Sequence, residues 1–254
     1  MVEIRLVDYS SVINELTTLF EAAFGQPRSI EHFKWKYIDN PLSGSTPELV
    51  VAVDNGTIIG ARPFFMTELW LGTTKIIAAE HADTMVHPDY RNLGIFNRMG
   101  TKALAYLREK NIDLSFGFPG EMSRPGFLHQ GYKILMPTTI LFRPIHTGNI
   151  LKNRLNNGVL GSGFGVVYDR IINHHSLTSN PSNEYTLEIS DHYTAALQEL
   201  AFWRQRQVIE LGRNENFLRW RFDHHPDYKY HYVSAKKDGV LQGYAVFSIQ
   251  TQPN

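Results

Sequence analysis

The chain has 254 residues and carries 25 lysine and arginine residues against 25 aspartate and glutamate residues, so its formal net charge is zero. A balanced charge argues against a protein whose main task is to bind nucleic-acid phosphates or an anionic membrane surface. Cysteine is absent, which excludes disulfides, thiolate catalysis and iron–sulfur clusters. Neither a signal-peptide core nor an apolar run of about 18 residues is found, so we expect a cytoplasmic protein without a membrane partner.

Hydrophobic periodicity predicts strands and helices in alternation over the first part of the chain. Helices are predicted where apolar residues recur at helical spacing, and strands where β-branched and aromatic residues cluster. The predicted elements are, in chain order, a strand at 2–7, helices at 10–24 and 29–38, a hairpin at 49–53 and 57–61, strands at 64–71 and 74–86, a helix at 95–110, a strand at 112–118, a helix at 123–130 and a strand at 132–142. This order is typical of an α/β or α+β sheet with helices on its faces.

The second part of the chain begins with a change in composition. Residues 144–183 are dense in asparagine, glycine and serine, and we interpret them as a connector. Ordered elements are then predicted again, as a strand at 185–189, a helix at 191–211 and a short helix at 215–222. The predicted organisation is therefore a domain at 1–143, a connector at 144–183 and a second folded segment at 184–254.

A short pattern occurs twice in the sequence. The two copies are Trp35-Lys36-Tyr37 with Pro41 and Trp220-Arg221-Phe222 with Pro226, followed by the glycine pairs Gly56 and Gly60 or Gly239 and Gly243. Repeats of this kind indicate a duplicated supersecondary unit, here a strand, two helices and a hairpin. Chance similarity between two hairpins is the alternative. We predict that residues 184–254 form a partial second copy of the first unit.

The most informative stretch is Val86-His87-Pro88-Asp89-Tyr90-Arg91-Asn92-Leu93-Gly94-Ile95-Phe96, where a strand is predicted to end and an amphipathic helix to begin. A loop at a helix N-terminus presents unpaired backbone N–H groups and the positive end of the helix dipole, which together suit a phosphate. Gly94 lets the backbone approach a ligand closely, and Arg91 can add a charge-assisted contact. An ordinary capped helix is the alternative interpretation.

These residues resemble motif A of the GNAT superfamily of N-acetyltransferases, in which V-x-P-x-x-R precedes a glycine-containing loop. The resemblance extends in element order from residue 2 to about residue 142 and includes Gly131-Tyr132, where family members often have Gly-Phe. It implies a mixed, mostly antiparallel central sheet flanked by helices, with the C-terminal segment as a partial repeat of the same unit. It also implies that acetyl-CoA is the co-substrate and that no metal is needed.

The resemblance further implies which residues bind acetyl-CoA. Backbone groups of Thr84, Met85 and Val86 would pair with the pantetheine arm in the manner of an added strand. The pyrophosphate would be held by Arg91 and by the backbone of the loop residues, which are Asn92, Leu93, Gly94, Ile95, Phe96 and Asn97. Phe96 departs from the family pattern, which has glycine or alanine there, so its side chain is expected to point away from the cofactor.

Acetyl transfer to an amine also needs a base, because an amine with a pKa of about 10 is mostly protonated at neutral pH. Glu80 lies on the strand that leads to the motif, where some family members carry a base glutamate. In a regular strand Glu80 faces away from His81 and Asp83, which are the alternative bases. A purely structural carboxylate is the other interpretation of Glu80. Phe127 stands where the family often has a proton-donating tyrosine.

The sequence therefore predicts an N-acetyltransferase that transfers acetyl from acetyl-CoA to a primary amine of a small molecule or peptide. The alternative is a non-catalytic acyl-CoA-binding module whose C-terminal half contacts a partner. We expect no nucleic-acid partner, and a homodimer is considered. The pairs His174-His175 and His224-His225 lack metal-ligand spacing, so no metal site is predicted.

Overall fold

The computed structural model describes residues 1–44, 47–137, 184–197 and 209–249 of the chain. Two compact units are distinguished, one of Met1–Leu135, Glu188–Ser234 and Leu241–Asn254, and one of Met136–Leu187 and Ala235–Val240. Within the described part of the smaller unit, Lys237 Nζ lies 3.0 Å from Glu184 Oε2 and 5.9 Å from the ring of Tyr185. The connector predicted at 144–183 lies outside the described residues.

Eleven strands and five helices are numbered here in chain order over the described residues. The strands are β1 Glu3–Asp8, β2 Glu48–Asp54, β3 Thr57–Arg62, β4 Phe64–Leu71, β5 Thr74–His81, β6 Met85–Val86, β7 Leu114–Gly117, β8 Thr186–Ser190, β9 Ile209–Leu211, β10 Tyr230–Lys237 and β11 Val240–Ser248. The helices are α1 Tyr9–Phe24, α2 Ile30–Phe33, α3 Ile95–Glu109, α4 Arg124–His129 and α5 Glu215–Leu218. Short helical turns follow at Lys34–Ile38, Pro88–Tyr90 and Arg219–Asp223. None of the described helices combines the length and the apolar character that a bilayer crossing requires.

The strands form three sheets. The first has the order β1-β2-β3-β6 and is antiparallel throughout. The second has the order β7-β5-β4-β9, in which β5 and β7 run parallel and the other pairs antiparallel. The third has the order β11-β10-β8. The mixed, mostly antiparallel architecture with flanking helices that was predicted from the sequence is confirmed.

The apolar run in β2 is explained by burial of both of its faces. Val51 and Val53 pack with α1, whereas Val50 and Ala52 pack with α3. A strand covered on both faces is apolar at consecutive positions instead of alternating. The first sheet is therefore enclosed between α1 on one face and α3 on the other, and this arrangement holds the loop before α3 at the edge of the core.

The strand predicted at 74–86 is interrupted in the structure. β5 ends at His81, β6 begins at Met85, and between them Asp83 has a left-handed backbone with a φ of 50°. On the neighbouring strand, Pro63 separates β3 from β4. Proline has no N–H group to donate to a ladder, so regular pairing stops at this level. The break at residues 82–84 is the point at which the first and second sheets part.

Two other predicted elements differ from the structure. The helix predicted at 191–211 is wrong at its end, because residues 209–211 form β9 and pair antiparallel with β4; residues 198–208 are not described. The strand predicted at 132–142 is absent over residues 132–137, and its remainder lies outside the described range. In the first case the free edge of β4 supplies backbone partners that a local helical pattern cannot anticipate.

The two tryptophan segments, which are residues 29–38 around Trp35 and residues 214–223 around Trp220, share local features. Ser29 caps α2 and Asn214 caps α5, each through its side chain, and a short π-helical turn follows each helix. Trp35 Nε1 donates to the carbonyl oxygen of Trp220, and Trp220 Nε1 donates to that of Trp35, both at 2.6 Å. Their rings stack with centroids 5.4 Å apart. Duplication of a whole unit stays a prediction.

Candidate active site

The loop between β6 and α3 presents the N-terminus of α3 at the surface. Asn92 and Gly94 both have left-handed backbones, with φ values of 63° and 71°. Gly94 is the N-cap residue of α3, and no side chain caps the helix there. Leu93 between them is 60% exposed. The first N–H groups of α3 are therefore available to an anion at the positive end of the helix dipole.

The side chain of Arg91 is anchored beside this loop. Its Nη2 atom donates a hydrogen bond of 2.9 Å to the carbonyl oxygen of Ala23, in the last turn of α1. A cation at the C-terminal end of a helix is favourable because the unpaired carbonyl groups carry partial negative charge. Arg91 thus fixes the loop against α1, and its guanidinium keeps further N–H groups for the predicted contact with an anion.

Phe96, which departs from the family pattern, turns its ring toward α4. A Cβ atom at Gly126 would lie 2.5 Å from Phe96 Cε1, and the ring also packs edge-on against Phe127 at 5.6 Å. Beside it, Gln130 Nε2 donates to Asn97 Oδ1 at 3.1 Å. The first turn of α3 is therefore packed directly on α4, and glycine at 126 makes this close approach possible.

The backbone predicted to bind pantetheine lies at a sheet edge. Met85 pairs with Ala61 and Val86 with Gly60, and β6 is the last strand of its sheet among the described residues. The parallel pairing of β7 with β5 extends only to Gly117 opposite His81, so β7 does not cover this edge. An extended ligand can add to such an edge through main-chain hydrogen bonds. Thr84 belongs to the break just before β6.

Glu80 and Asp83 face the same side of the sheet, which differs from the expectation for a regular strand. The left-handed backbone at Asp83 reverses the alternation and directs its carboxylate to Tyr37 Oη at 2.6 Å and Lys36 Nζ at 2.8 Å. Burial alone raises the pKa of Asp83, but the charge and hydrogen bond of Lys36, with that of Tyr37, hold it below its usual value. Burial raises the pKa of Glu80, and the charges of Lys36 and Arg221 oppose this shift.

His81 lies on the opposite face, in a second cluster. It is 4% exposed, and its ring nitrogens form no hydrogen bond of standard geometry among the described residues, although a contact with the Pro63 backbone favours the charged form. Burial, followed by the charge of Arg62, lowers the pKa of His81 to about 3, so the imidazole is neutral at physiological pH. Of the three candidate bases, Glu80 and Asp83 are brought together by the structure, whereas His81 is separated from them by the strand.

Phe127 is buried next to a hydroxyl pair. Its ring centroid lies 5.0 Å from that of Tyr132, and Tyr132 Oη lies 2.7 Å from Ser115 Oγ. The phenol that the family often places at 127 is thus absent, but a phenol from the next turn of the chain occupies the same cluster. Tyr132 entered the sequence-based prediction only as part of the Gly131-Tyr132 pair, and its hydroxyl was given no role.

The structure also gathers three groups that the sequence did not connect. His32, His225 and Asp227 each offer one atom, and these atoms lie within 4.8 Å of one another. His32 Nδ1 lies 2.5 Å from Asp227 Oδ2, and Arg28 Nη1 lies 3.9 Å from the same oxygen. The cation of Arg28 competes with any ion for this carboxylate. We interpret the group as a set of polar contacts that joins α2 to the segment after α5. The prediction of no metal stays a prediction.

Four residues of the candidate site were missed by sequence reasoning. Lys36 and Tyr37 were read only as members of the repeated pattern, and Arg221 likewise, although each lies close to Glu80 or Asp83. Arg62 gave a signal that could have been used, because it is a single charged residue in the apolar run from Ile58 to Phe65. A charged residue within a strand buried on both faces requires an explanation.

Comparisons with known structures identify the fold. A protein of Enterococcus faecalis V583 described as a "Probable N-Acyltransferase" matches 98% of this chain and 56% of its own, with 12% identity and a TM-score of 0.64. A GCN5-related N-acetyltransferase from Kribbella flavida matches 98% of this chain and 55% of its own, with 14% identity and a TM-score of 0.58. This chain therefore spans just over half the length of either structure. A search of curated proteins by sequence found no match.

A family model, unlike the structural neighbours, identifies the family of the chain. The model of the acetyltransferase (GNAT) domain matches residues 3–134, which include the break at residues 82–84, the loop before α3, the carboxylates of Glu80 and Asp83, and His81 on the other face of β5. The match covers more than half of the chain and agrees with the fold of the two structural neighbours. The chain belongs to the GNAT acetyltransferase family.

Proposed function

We propose that this protein transfers an acyl group, acetyl in the simplest case, from its CoA thioester to a primary amine of a small molecule or peptide. The observation that carries the proposal is the N-terminus of α3, which no side chain caps, beside β6, which is an edge strand among the described residues. An anion site next to an edge that can accept an added strand suits a donor with a pyrophosphate and an extended amide-containing arm.

Donor binding is assigned to backbone groups. N–H groups from Asn92 to Asn97 would hold the pyrophosphate, and the guanidinium of Arg91 would add charge at the same loop. The outer edge of Thr84, Met85 and Val86 would pair with the pantetheine arm. This assignment uses fixed N–H donors rather than a broad positive surface, which agrees with the zero net charge of the chain.

Glu80 is proposed as the base. The amine nitrogen forms a bond to the thioester carbon, the carbon–sulfur bond breaks, and its electron pair leaves with the CoA thiolate. The proton lost by the amine passes to the Glu80 carboxylate, directly or through water. Asp83 is the weaker candidate, because its hydrogen bonds with Tyr37 and Lys36 favour the anion and hold it in place. His81 faces the donor side and would act only if the amine reached that cluster.

Departure of the CoA thiolate needs less catalytic help than deprotonation of the amine does. A thiol has a pKa of about 8.5, so a thiolate can depart without full protonation in the transition state. Phe127 has no proton to give, and Tyr132 is the phenol present in the same cluster. The absence of a phenol at 127 therefore affects the identity of the acid more than the reaction itself.

Two measurements test the proposed function in sequence. Thermal unfolding with acetyl-CoA, compared with buffer, reports donor binding, because a ligand that binds only the folded state raises Tm. Release of CoA thiol is then followed with a panel of primary amines. Thiol release that depends on an amine supports the enzyme. Binding without release across a broad panel would favour the alternative of a non-catalytic acyl-CoA-binding module, and absence of binding would contradict both.

A further inference from the structure

Arg62 is a buried cation without a counter-charge among the described residues. Its side chain has no solvent exposure, and its three guanidinium nitrogens form no hydrogen bond of standard geometry there, although the Tyr132 hydroxyl lies near enough to favour the charged form. The guanidinium carbon lies 5.1 Å from the ring centroid of Phe96 and 4.6 Å from that of Phe127. Aromatic faces attract a cation but leave its N–H groups unsatisfied. A buried charge in this state is strongly unfavourable, so an additional group is expected to complete the site.

The groups around Arg62 define the chemistry of that missing partner. His81 is neutral, and its ring nitrogens form no hydrogen bond of standard geometry among the described residues. The hydroxyl groups of Tyr132 and Ser115 lie in the same cluster. Burial lowers the pKa of Arg62, and the nearby Tyr132 opposes that shift. Over the described residues the cluster thus offers one full positive charge and several donors but no carboxylate. A carboxylate ligand complements this set, since an arginine binds both of its oxygens through parallel N–H groups.

The position of the cluster relates it to the acyl group. Ala61 pairs with Met85, so the next residue, Arg62, stands level with the break at residues 82–84. His81 is adjacent to Glu80 in β5 but faces the other side of the sheet. Phe96, whose ring contacts the guanidinium, belongs to the first turn of α3. The cluster therefore adjoins the first turn of α3, where the pyrophosphate is proposed to bind, and lies across β5 from the proposed base.

We propose that the acyl group transferred by this protein ends in a free carboxylate that is bound by Arg62 and His81. The preferred donors are then CoA thioesters of small dicarboxylic acids. This inference rests on the proposed function. The terminal carboxylate takes no part in the bond changes: the thioester carbon still bonds to the amine nitrogen, the carbon–sulfur bond breaks, and the amine proton passes to Glu80.

Donor affinity tests the inference directly. Calorimetric titration of the full chain compares succinyl-CoA with acetyl-CoA, and we expect succinyl-CoA to bind about 10-fold more tightly or better, because a charge-assisted hydrogen bond is added. Arg62→Met should remove this preference. The control Arg98→Met should keep it, since Arg98 lies on α3 and donates to the carbonyl oxygen of Val2. Equal binding of the two thioesters would overturn the inference and leave the proposed function intact. If neither thioester bound, the proposed function itself would be contradicted.

Stability without ligand gives a second test. If Arg62 has no partner in the ligand-free protein, Arg62→Met removes an unsatisfied buried charge, and Tm should rise by about 2–4 °C. A fall in Tm would show that the folded chain itself supplies a counter-charge, and the inference would then be wrong. Arg62→Lys distinguishes charge from shape: it keeps the cation, so its Tm should stay below that of Arg62→Met. A higher Tm for the lysine variant would also contradict the inference.

Discussion

Glu80 and Asp83 stand three positions apart on one side of the sheet, yet their surroundings shift their pKa values in opposite directions. Burial dominates at Glu80 and raises its pKa, whereas Lys36 and Tyr37 stabilise the charged form of Asp83. Two carboxylates whose pKa values are separated in this way can take different roles. The raised pKa suits a group that accepts and returns a proton, and the lowered pKa suits a group that holds its neighbours in place.

Substitution of Glu80 tests the first of these roles. Wild-type kcat/KM should rise with pH through an apparent pKa above the usual 4.5, because the base acts only when it is ionised. The pH profile of Glu80→Gln should lack this rise. The variant should also reduce kcat/KM by about 10²–10⁴-fold, most strongly at pH values where the amine is protonated. The exposed Glu15→Gln is the matched control. An unchanged pH profile in Glu80→Gln would remove Glu80 as the base.

Substitution of Asp83 tests the second role. Because its folded-state pKa lies below the usual 3.8, its stabilising effect is present at neutral pH and is lost as pH falls through that lowered value. Asp83→Asn should reduce the free energy of unfolding at pH 7 by about 1.5–3 kcal/mol, and the difference from wild type should shrink below about pH 4. Urea unfolding at both pH values measures this.

The control for this prediction is Asp238→Asn. Asp238 also has a left-handed backbone, with a φ of 51°, but it lies exposed in the turn between β10 and β11. Asparagine tolerates this conformation well, so neither variant is strained by its backbone. A similar loss of stability in both variants would mean that the contacts with Lys36 and Tyr37 contribute little.

At the residue scale, the sequence predicted sites formed by consecutive residues and missed sites formed by residues that are distant in sequence. The loop from Arg91 to Gly94 could be proposed as an anion site because the proposed contact depends on a contiguous backbone. The contacts of Lys36 with Asp83 and the packing of rings around Arg62 join residues distant in sequence, and the only local signal for either was the lone charge of Arg62 in an apolar run. Left-handed backbone at Asp83 was equally invisible, although it decides which way the carboxylate points.

At the element scale, the contact of α3 with α4 shapes the surroundings of the proposed donor site. Phe96 projects from the first turn of α3 onto Gly126 in α4, with no room for a Cβ atom between them. The glycine lets the two helices approach closely, and the same ring forms one wall around Arg62. A change at this contact is therefore expected to affect both packing and the buried cluster.

Gly126→Val tests this contact. A valine should destabilise the fold by about 1–3 kcal/mol, because the added atoms overlap the ring and must displace α4 or Phe96. Gly120→Val is the control, since a Cβ atom there meets nothing within 4 Å. In a Phe96→Ala background the same valine should cost much less, because the two residues are coupled. Equal losses in both backgrounds, measured by urea unfolding, would show that the helices do not meet through Phe96.

The elements themselves were predicted best where hydrophobic periodicity is long. The helices α1 and α3 and the strands from β1 to β5 lie close to their predicted positions. The break after His81 was missed because the apolar pattern continues through it, and only the backbone at Asp83 interrupts the strand. β9 was mistaken for the end of a helix, since its pairing with β4 is a tertiary interaction that overrides local preference.

At the scale of the whole molecule, a segment distant in sequence contributes to the candidate site. Trp220 exchanges indole hydrogen bonds with Trp35, and Phe65, the cross-strand partner of Glu80, packs against the Trp220 ring at 6.0 Å. Arg221 next to it lies over the Trp35 ring at 5.2 Å and influences Glu80. The surroundings of the proposed base are therefore built by both tryptophan segments, which explains why residues beyond the matched domain bear on its chemistry.

The central claim is that the loop before α3 binds the phosphates of an acyl-CoA donor. Calorimetric titration with acetyl-CoA should give saturable binding to the wild type and at least about 10-fold weaker binding to Gly94→Ala, whose Cβ atom is added where the φ is 71°. Gly56→Ala carries a comparable strain, at a φ of 83°, in the hairpin turn between β2 and β3, and should bind as the wild type does. Absence of binding to the wild type, or equal affinity in the two variants, would contradict the claim.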